Sequence, residues 1–558
     1  MFTNKRALTF LVSLLLFSLV QSVTPVTSGQ QQPSRERKVT PGVVASPTSS
    51  PSLIASPVTS PVPSPQASPT PRLAVTTQTL GELQARISEI LQKPELAQAM
   101  VGIKVASLDT GRILFESNAN KLLRPASNMK LYTVAAALDR LSPDYHFVTS
   151  VYALARPDAA GTIRGDLTIY GRGDPSIAAR FNSGNYFKAI DDLAARIVAA
   201  GVKRVEGDLV GDETYFTGPQ YGSGWEWDDL QWWYGAEVSA LTINDNALDL
   251  SVKPGMKIGA PAVITTGPPD PLLTIINKVT TAPPGTRRDL DAYRELASDK
   301  IEISGSIPLD DKGYSGGLAI SRPSLLFAYL LRASLAQQGV VIKGKTRTIP
   351  QPIHTVMPGP VASGLVEVAT FRSPPLSIIA AQTLKPSQNL YTELILRTLG
   401  KAAGPAPTAV SAGRTSEASG IEVVRTFLRE AGVNASPLSL NDGSGLSRND
   451  MVTAEATLQL LTYMRRHRYA TAFRDALPIA GVDGTLRNRM KGTVAENNLR
   501  AKTGTLSSAS SLSGFVTTAA GEELVFSIMV NNYPEGTNPP SVCIDPIAIL
   551  LASFAGKS

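Results

Sequence analysis

Between Pro41 and Pro71 the chain places nine prolines and eleven serines or threonines in thirty-one residues, with no aromatic side chain. Such a stretch cannot bury enough apolar area to offset the entropy of ordering it. It reads as an extended tether, and folded sequence is confined to the residues beyond it, from about Thr76. That remainder of the 558 residues is still too long for one ordinary core. The tether side also carries most of the basic excess: residues 1–72 hold six Lys/Arg against one Glu, so +5 of the net +7 sits there. The rest is nearly neutral, and nothing in its charge argues for nucleic-acid binding. Ahead of the tether, Lys5-Arg6 precedes a run from Ala7 to Val20 that is free of charge. That run is short for a membrane span and matches the apolar region of a secretory signal, with Val20-Gln21-Ser22 as an imperfect cleavage site. Residues 1–22 are therefore expected to be a signal peptide or N-terminal anchor and 23–75 the linker. The folded part is expected in the periplasm or another extracytoplasmic space, with any membrane association through this N-terminal segment alone.

The single cysteine, Cys543, excludes an intramolecular disulfide framework and a multi-thiolate zinc site. Three histidines leave little room for a histidine metal cluster. Neither a metal nor a cofactor is expected.

Apolar periodicity places a helix over Leu80–Leu91, a hairpin over Val101–Leu108 and Ile113–Glu116 around Asp109-Thr110-Gly111, and a helix after Pro125 with Ser127 near its start. Residues 160–250 alternate strands with a strong helix from Tyr186 to Ala200, stopped by Gly201 and followed by a strand over Arg204–Val210. The chain then turns Pro/Gly-rich with short β-like runs, and helical spacing returns at Ser324–Gly339 and after Ser377.

Three short motifs can carry chemistry. Ser127-Asn128-Met129-Lys130 puts a hydroxyl and an amine one helical turn apart. A serine needs a base, and a lysine serves if burial lowers its pKa from about 10.4 towards 7. The spacing alone is equally that of a surface helix. Ser387-Gln388-Asn389 opens a helical run, where an N-cap serine explains it as well as catalysis does. Lys502-Thr503-Gly504 lies on the first of three β-forming runs. Such a strand can offer a cation, hydroxyls and backbone N–H groups to a substrate carboxylate and a developing oxyanion, or it can be a charged edge strand.

In that order the three motifs form the signature of the penicillin-recognising serine acyl-enzymes. The 260 residues between Ser127 and Ser387 make the chain resemble the D-alanyl-D-alanine carboxypeptidase/endopeptidases of penicillin-binding protein type 4, whose catalytic domain is split by a large insertion. Further matches are Gly173-Asp174-Pro175-Ser176, the stretch Asp442 to Arg448 and the stretch Pro478 to Leu486. The resemblance implies an α/β (α+β) multidomain fold. Its core is a penicillin-binding-protein/β-lactamase-like transpeptidase domain, an antiparallel sheet with helices, interrupted by an inserted α/β domain that carries a small β-rich insert. The expected division is catalytic part 76–158, inserted domain 159–250, β-rich insert 251–321, inserted domain again 322–365, and catalytic part 366–558.

Carried over by motif, Ser127 is the acylated nucleophile, Lys130 its general base and Ser387 the proton relay to the leaving amine. Asn389 holds the substrate backbone, Lys502 and Thr503 belong to the carboxylate pocket, and the N–H groups of Ser127 and Thr505 form the oxyanion hole. The implied activity is a serine DD-peptidase acting on peptidoglycan stem peptides and acylated by β-lactams. The alternatives are a weakly catalytic penicillin-binding scaffold of the cell wall, or a β-lactamase or esterase. All four tryptophans, Trp225, Trp227, Trp232 and Trp233, are interleaved with Glu226, Asp228 and Asp229. This segment either seals an interface between domains or walls the cleft, with Asp228 or Asp229 meeting a cationic stem-peptide side chain.

Overall fold

A computed structural model describes residues 76–558 apart from 269, 297, 355–358, 361–362 and 405–412. The signal and tether expected over residues 1–75 lie outside the described residues.

The chain's two ends build one antiparallel five-stranded sheet in the order Arg500–Leu506, Ala509–Thr517, Glu523–Asn531, Met100–Ser107, Ile113–Ser117. Alternation along these strands sends side chains to opposite faces, and both faces are covered. Phe526, Ile528 and Val530 join Ile103 and Val105 under the helices Leu80–Leu91 and Asp545–Ala552. Val525, Met529 and Phe515 face the other way, into a core shared with helix Met129–Leu141 and the helices beyond Pro375. Arg500–Leu506 is left at the sheet edge, with one row of backbone groups turned away from its strand partner.

A second five-stranded sheet is mixed, ordered Thr346–Ile349, Leu209–Asp212, Leu167–Tyr170, Val148–Ala153, Val366–Arg372. Its core takes in the helices Lys188–Ala199 and Pro323–Gln337. Val148–Ala153 and Val366–Arg372 lie outside the expected joints at 158/159 and 365/366, yet pair with each other within this sheet. The single strand expected over Arg204–Val210 is two, Arg204–Val205 and Leu209–Asp212, in different sheets. The break falls at Gly207, where a Cβ would meet the Gly165 backbone at 2.4 Å. Between the two halves of the mixed sheet, residues 247–319 form two three-stranded sheets around their own small core.

The helix after Pro125 runs over Met129–Leu141, preceded by a 3₁₀ turn, Ala126–Asn128. Ala126 enters that turn at φ +47°, which lifts Ser127 out of the helical path and leaves it partly accessible while Met129 and Lys130 are buried.

Candidate active site

Ser127 sits where the first turn of helix Met129–Leu141 meets the edge strand Arg500–Leu506. The approach is close because of Gly504: a Cβ there would lie 2.6 Å from the Pro125 carbonyl and 2.2 Å from Ser511 Oγ. Ser511 Oγ donates to that carbonyl at 2.7 Å, and Asn128 Nδ2 donates to Ser513 Oγ at 2.8 Å, so the neighbouring strand of the sheet pins the turn.

Lys130, one turn on, is fully buried, and its Nζ meets three acceptors: Ser127 Oγ at 3.0 Å, Asn389 Oδ1 at 2.6 Å and the Ser444 carbonyl at 2.7 Å. Burial lowers its pKa to about 7, against the pull of Asp442, Glu393 and Asp450, which favour the charged form. Lys502 is equally buried and its Nζ donates to Ser387 Oγ at 2.9 Å and to the Thr503 carbonyl at 2.8 Å. Burial, then the neighbouring Lys130 charge, holds it well below the ordinary lysine range.

Ser387 is not the N-cap of the helix it precedes. Helix Asn389–Ala402 is capped by Gln388, whose side chain accepts from Leu390 N at 3.2 Å. Ser387 instead adopts φ +65°, a strained conformation for a non-glycine residue, with its hydroxyl turned to Lys502. Asn389 uses both ends of its amide, Oδ1 accepting from Lys130 and Nδ2 donating to the Tyr234 carbonyl at 2.9 Å. Thr503 is buried and donates to Thr485 Oγ1 at 2.7 Å, tying the edge strand to the stretch Pro478–Leu486. Thr505 is exposed on the same strand.

Hydrogen bonds thus join Ser127, Lys130 and Asn389 in one group and Ser387, Lys502 and Thr503 in another, and the two groups meet through the mutual repulsion of the Lys130 and Lys502 charges. Asp228 shares no hydrogen bond with them among the described residues. Its carboxylate clusters with those of Glu226 and Asp229, and Arg448 pairs with Glu226 at 2.7 Å. Asp229 is buried, which raises its carboxyl to about 6; Arg448 opposes that rise, and Asp228 and Glu226 add to it. The segment itself does reach the site, through Tyr234 to Asn389 and through Trp225 Nε1, which donates to Asp442 Oδ2 at 2.8 Å.

Sequence reasoning assigns no role to the residues behind Lys130. Asp442, Glu393 and Asp450 are all fully buried. Glu393 accepts from Gly443 N at 3.0 Å and is held well above the usual carboxylate range by burial and by the charge of Asp442. One signal is available: Asn389, Glu393 and Arg397 recur every fourth residue along one face of their helix.

Two serine hydroxyls each meet a dry lysine amine here, an arrangement that can supply a nucleophile, a base and a site for a carboxylate with no histidine among these residues. The sequence profile of the D-Ala-D-Ala carboxypeptidase 3 (S13) family matches residues 83–554. The chain belongs to that family. It is 34% identical over 488 residues to a D-alanyl-D-alanine carboxypeptidase of Actinomadura sp. (strain R39), covering 86% of each chain. It is 26% identical over 464 residues to the D-alanyl-D-alanine carboxypeptidase DacB of Haemophilus influenzae, covering 81% of this chain and 89% of that one. The fold matches the crystal structure of penicillin binding protein 4 from Haemophilus influenzae with a TM-score of 0.69 at 24% identity, over 83% of this chain and 97% of that one. As a member of the family, the protein is a serine D-alanyl-D-alanine carboxypeptidase acting through an acyl-enzyme.

Proposed function

We propose that Ser127 is the nucleophile and neutral Lys130 its general base. Lys130 takes the Ser127 proton as Oγ attacks the carbonyl between the two terminal D-alanines of a peptidoglycan stem peptide. The oxyanion forms against the N–H groups of Ser127 and Thr505, the latter on the free side of the edge strand. Lys502 and Thr503 receive the terminal carboxylate, whose charge favours a protonated Lys502 once it is bound. Ser387 relays to the departing D-alanine amine the proton that Lys130 took from Ser127, and water then hydrolyses the Ser127 ester. Asn389 holds both Lys130 and the substrate backbone. The single observation that carries this reading is the Lys130 amine, fully buried, lowered to about 7 and 3.0 Å from Ser127 Oγ.

The tryptophan-rich segment is proposed as one wall of the cleft, with Asp228 reading a cationic side chain of the stem peptide. The division into catalytic and inserted parts and the export of the chain through residues 1–22 belong to the same reading. Labelled penicillin tests its centre: native protein gains one covalent mass at Ser127, and Ser127→Ala gains none. Labelling of Ser127→Ala at another residue overturns the assignment.

A further inference from the structure

The lone pair of a neutral lysine is useful only if it points at the proton it must take. Lys130 Nζ has three neighbours in reach, and two of them, Asn389 Oδ1 and the Ser444 carbonyl, can only accept. When the amine is neutral its two N–H bonds go to these acceptors, and the lone pair is left facing Ser127 Oγ. Whatever fixes the Ser444 carbonyl therefore fixes the direction of the base.

That carbonyl shares one rigid peptide unit with the Gly445 N–H. The N–H donates to Asp442 Oδ1 at 2.7 Å, while the carbonyl on the other side of the unit accepts from Lys130 at 2.7 Å. The second oxygen of Asp442 accepts from Ser444 Oγ at 2.9 Å, Ser447 N at 2.9 Å and Trp225 Nε1 at 2.8 Å. Four donors fill a fully buried carboxylate. The loop is also held from outside: Thr133 Oγ1 donates to the Gly443 carbonyl at 2.8 Å, and a Cβ on Gly445 (φ +78°) would lie 1.9 Å from the Ala126 carbonyl.

From this geometry we infer that Asp442 is the positioning residue for the general base: through the Ser444–Gly445 peptide it orients the lone pair of Lys130 toward Ser127, and Trp225 ties that clamp to the tryptophan-rich segment. The inference rests on the proposed role of Lys130 as base. Asn cannot replace Asp442, because one end of the carboxylate would become an NH₂ group facing either Gly445 N–H or three other donors.

The titratable groups facing Lys130 are Glu393 from helix Asn389–Ala402, Asp442 and Asp450 from the loop, and Lys502 from the edge strand. Asp442 comes first among the charges that hold the proton on Lys130. Its removal makes Lys130 easier to deprotonate, so the acid limb of the acylation rate moves to lower pH.

The test is pre-steady-state acylation by a labelled penicillin against pH, with melting temperature as the fold control. Asp442→Asn is expected to acylate about 10²-fold more slowly, with non-covalent affinity little changed and the acid limb moved to lower pH. Asp442→Glu keeps the charge but displaces the carboxylate from its donors, so it is expected to be slow with the limb unmoved. A native rate in folded Asp442→Asn overturns the inference, as do equal losses in both variants with neither limb moved. Should Asp442→Asn not fold, Trp225→Phe removes one donor and leaves the charge; several-fold slower acylation supports the clamp and a native rate overturns it. Lys130→Arg is measured beside them. If it acylates at a near-native rate the base assignment itself fails, whereas an inactive Lys130→Arg beside a native-rate Asp442→Asn overturns only the positioning role.

Discussion

Lys130 and Lys502 end in the same dry pocket, each fully buried, each hydrogen-bonded to a different serine hydroxyl, and the charge on Lys130 disfavours a charge on Lys502. Two ammonium groups so placed cannot both be comfortable. The folded protein therefore holds fewer protons here than the unfolded chain over a wide pH range.

For Lys130 the consequence has a definite sign. Its folded pKa, about 7, lies below the ordinary 10.5, so between these values the unfolded state binds the extra proton and stability rises with pH. Below about 7 the full penalty applies, roughly 4 to 5 kcal/mol for a shift of this size. Lys130→Met removes the titration. The stability of native protein relative to Lys130→Met should climb between about pH 7 and pH 10.5, measured by denaturant unfolding across that range. Parallel curves would show that Lys130 titrates normally in the fold.

The same shift sets the acylation profile. The rate with a labelled penicillin should fall as pH drops through about 7, because the protonated amine has no lone pair to receive the Ser127 proton. Lys130→Ala should lose about 10² to 10⁴ in rate while keeping non-covalent affinity. Lys130→Arg should be no better, since a guanidinium stays protonated. A near-native Lys130→Arg would move the base to Ser387 or water.

How far the sequence reaches is seen by setting Lys130 beside Asp442. Ser127, Lys130, Ser387, Asn389 and Lys502 stand in short motifs of fixed spacing that can be read as they stand, although the positive φ of Ala126 and Ser387 that aims the two serines is not written in that spacing. Asp442 acts through donors at residues 225, 444, 445 and 447, and the most distant of these is brought in by a separate segment. No spacing rule encodes that. The same holds for the fold: the Val101–Leu108 hairpin is legible from its turn, whereas the pairing of Val148–Ala153 with Val366–Arg372 joins strands some two hundred residues apart. The run Arg204–Val210 misleads as one strand because Glu206-Gly207-Asp208 interrupts its apolar residues and the chain changes sheet at Gly207. Helices Ser416–Glu430 and Ala454–Arg466 lie within the stretch after Ser377 where helical spacing is legible, and the hydroxyls of Thr415 and Thr453 cap them.

Gly445 offers a test of the nucleophile turn that touches no reacting atom. An alanine there would need φ +78° and a Cβ 1.9 Å from the Ala126 carbonyl, so either the loop or the Ser127 turn must move. Gly445→Ala should be destabilised by about 1–3 kcal/mol from backbone strain alone and should acylate slowly. Gly521→Ala is the control, since it also has a positive φ (+80°) but no atom within 4 Å of the added Cβ. It should lose stability through φ alone and acylate normally. Slow acylation in both would mean that general loosening, not the contact with Ala126, limits the turn.

The tryptophan-rich wall is tested through substrate choice. If Asp228 pairs with a cationic side chain, Asp228→Asn should raise KM about tenfold for a diaminopimelate-type peptide, the scale of a charge-assisted hydrogen bond, and leave a minimal acyl-D-Ala-D-Ala unchanged. Asp229 stands beside it with a carboxyl raised to about 6 by burial, so a part for Asp229 would show in the pH dependence. Were Asp229 the reader, preference for the cationic peptide would fade as pH falls through about 6, because the carboxyl gains a proton while the peptide amine keeps its charge. Equal losses on both peptides in Asp228→Asn would mean that the carboxylate only braces the segment against Arg448, whose pairing with Glu226 holds it there.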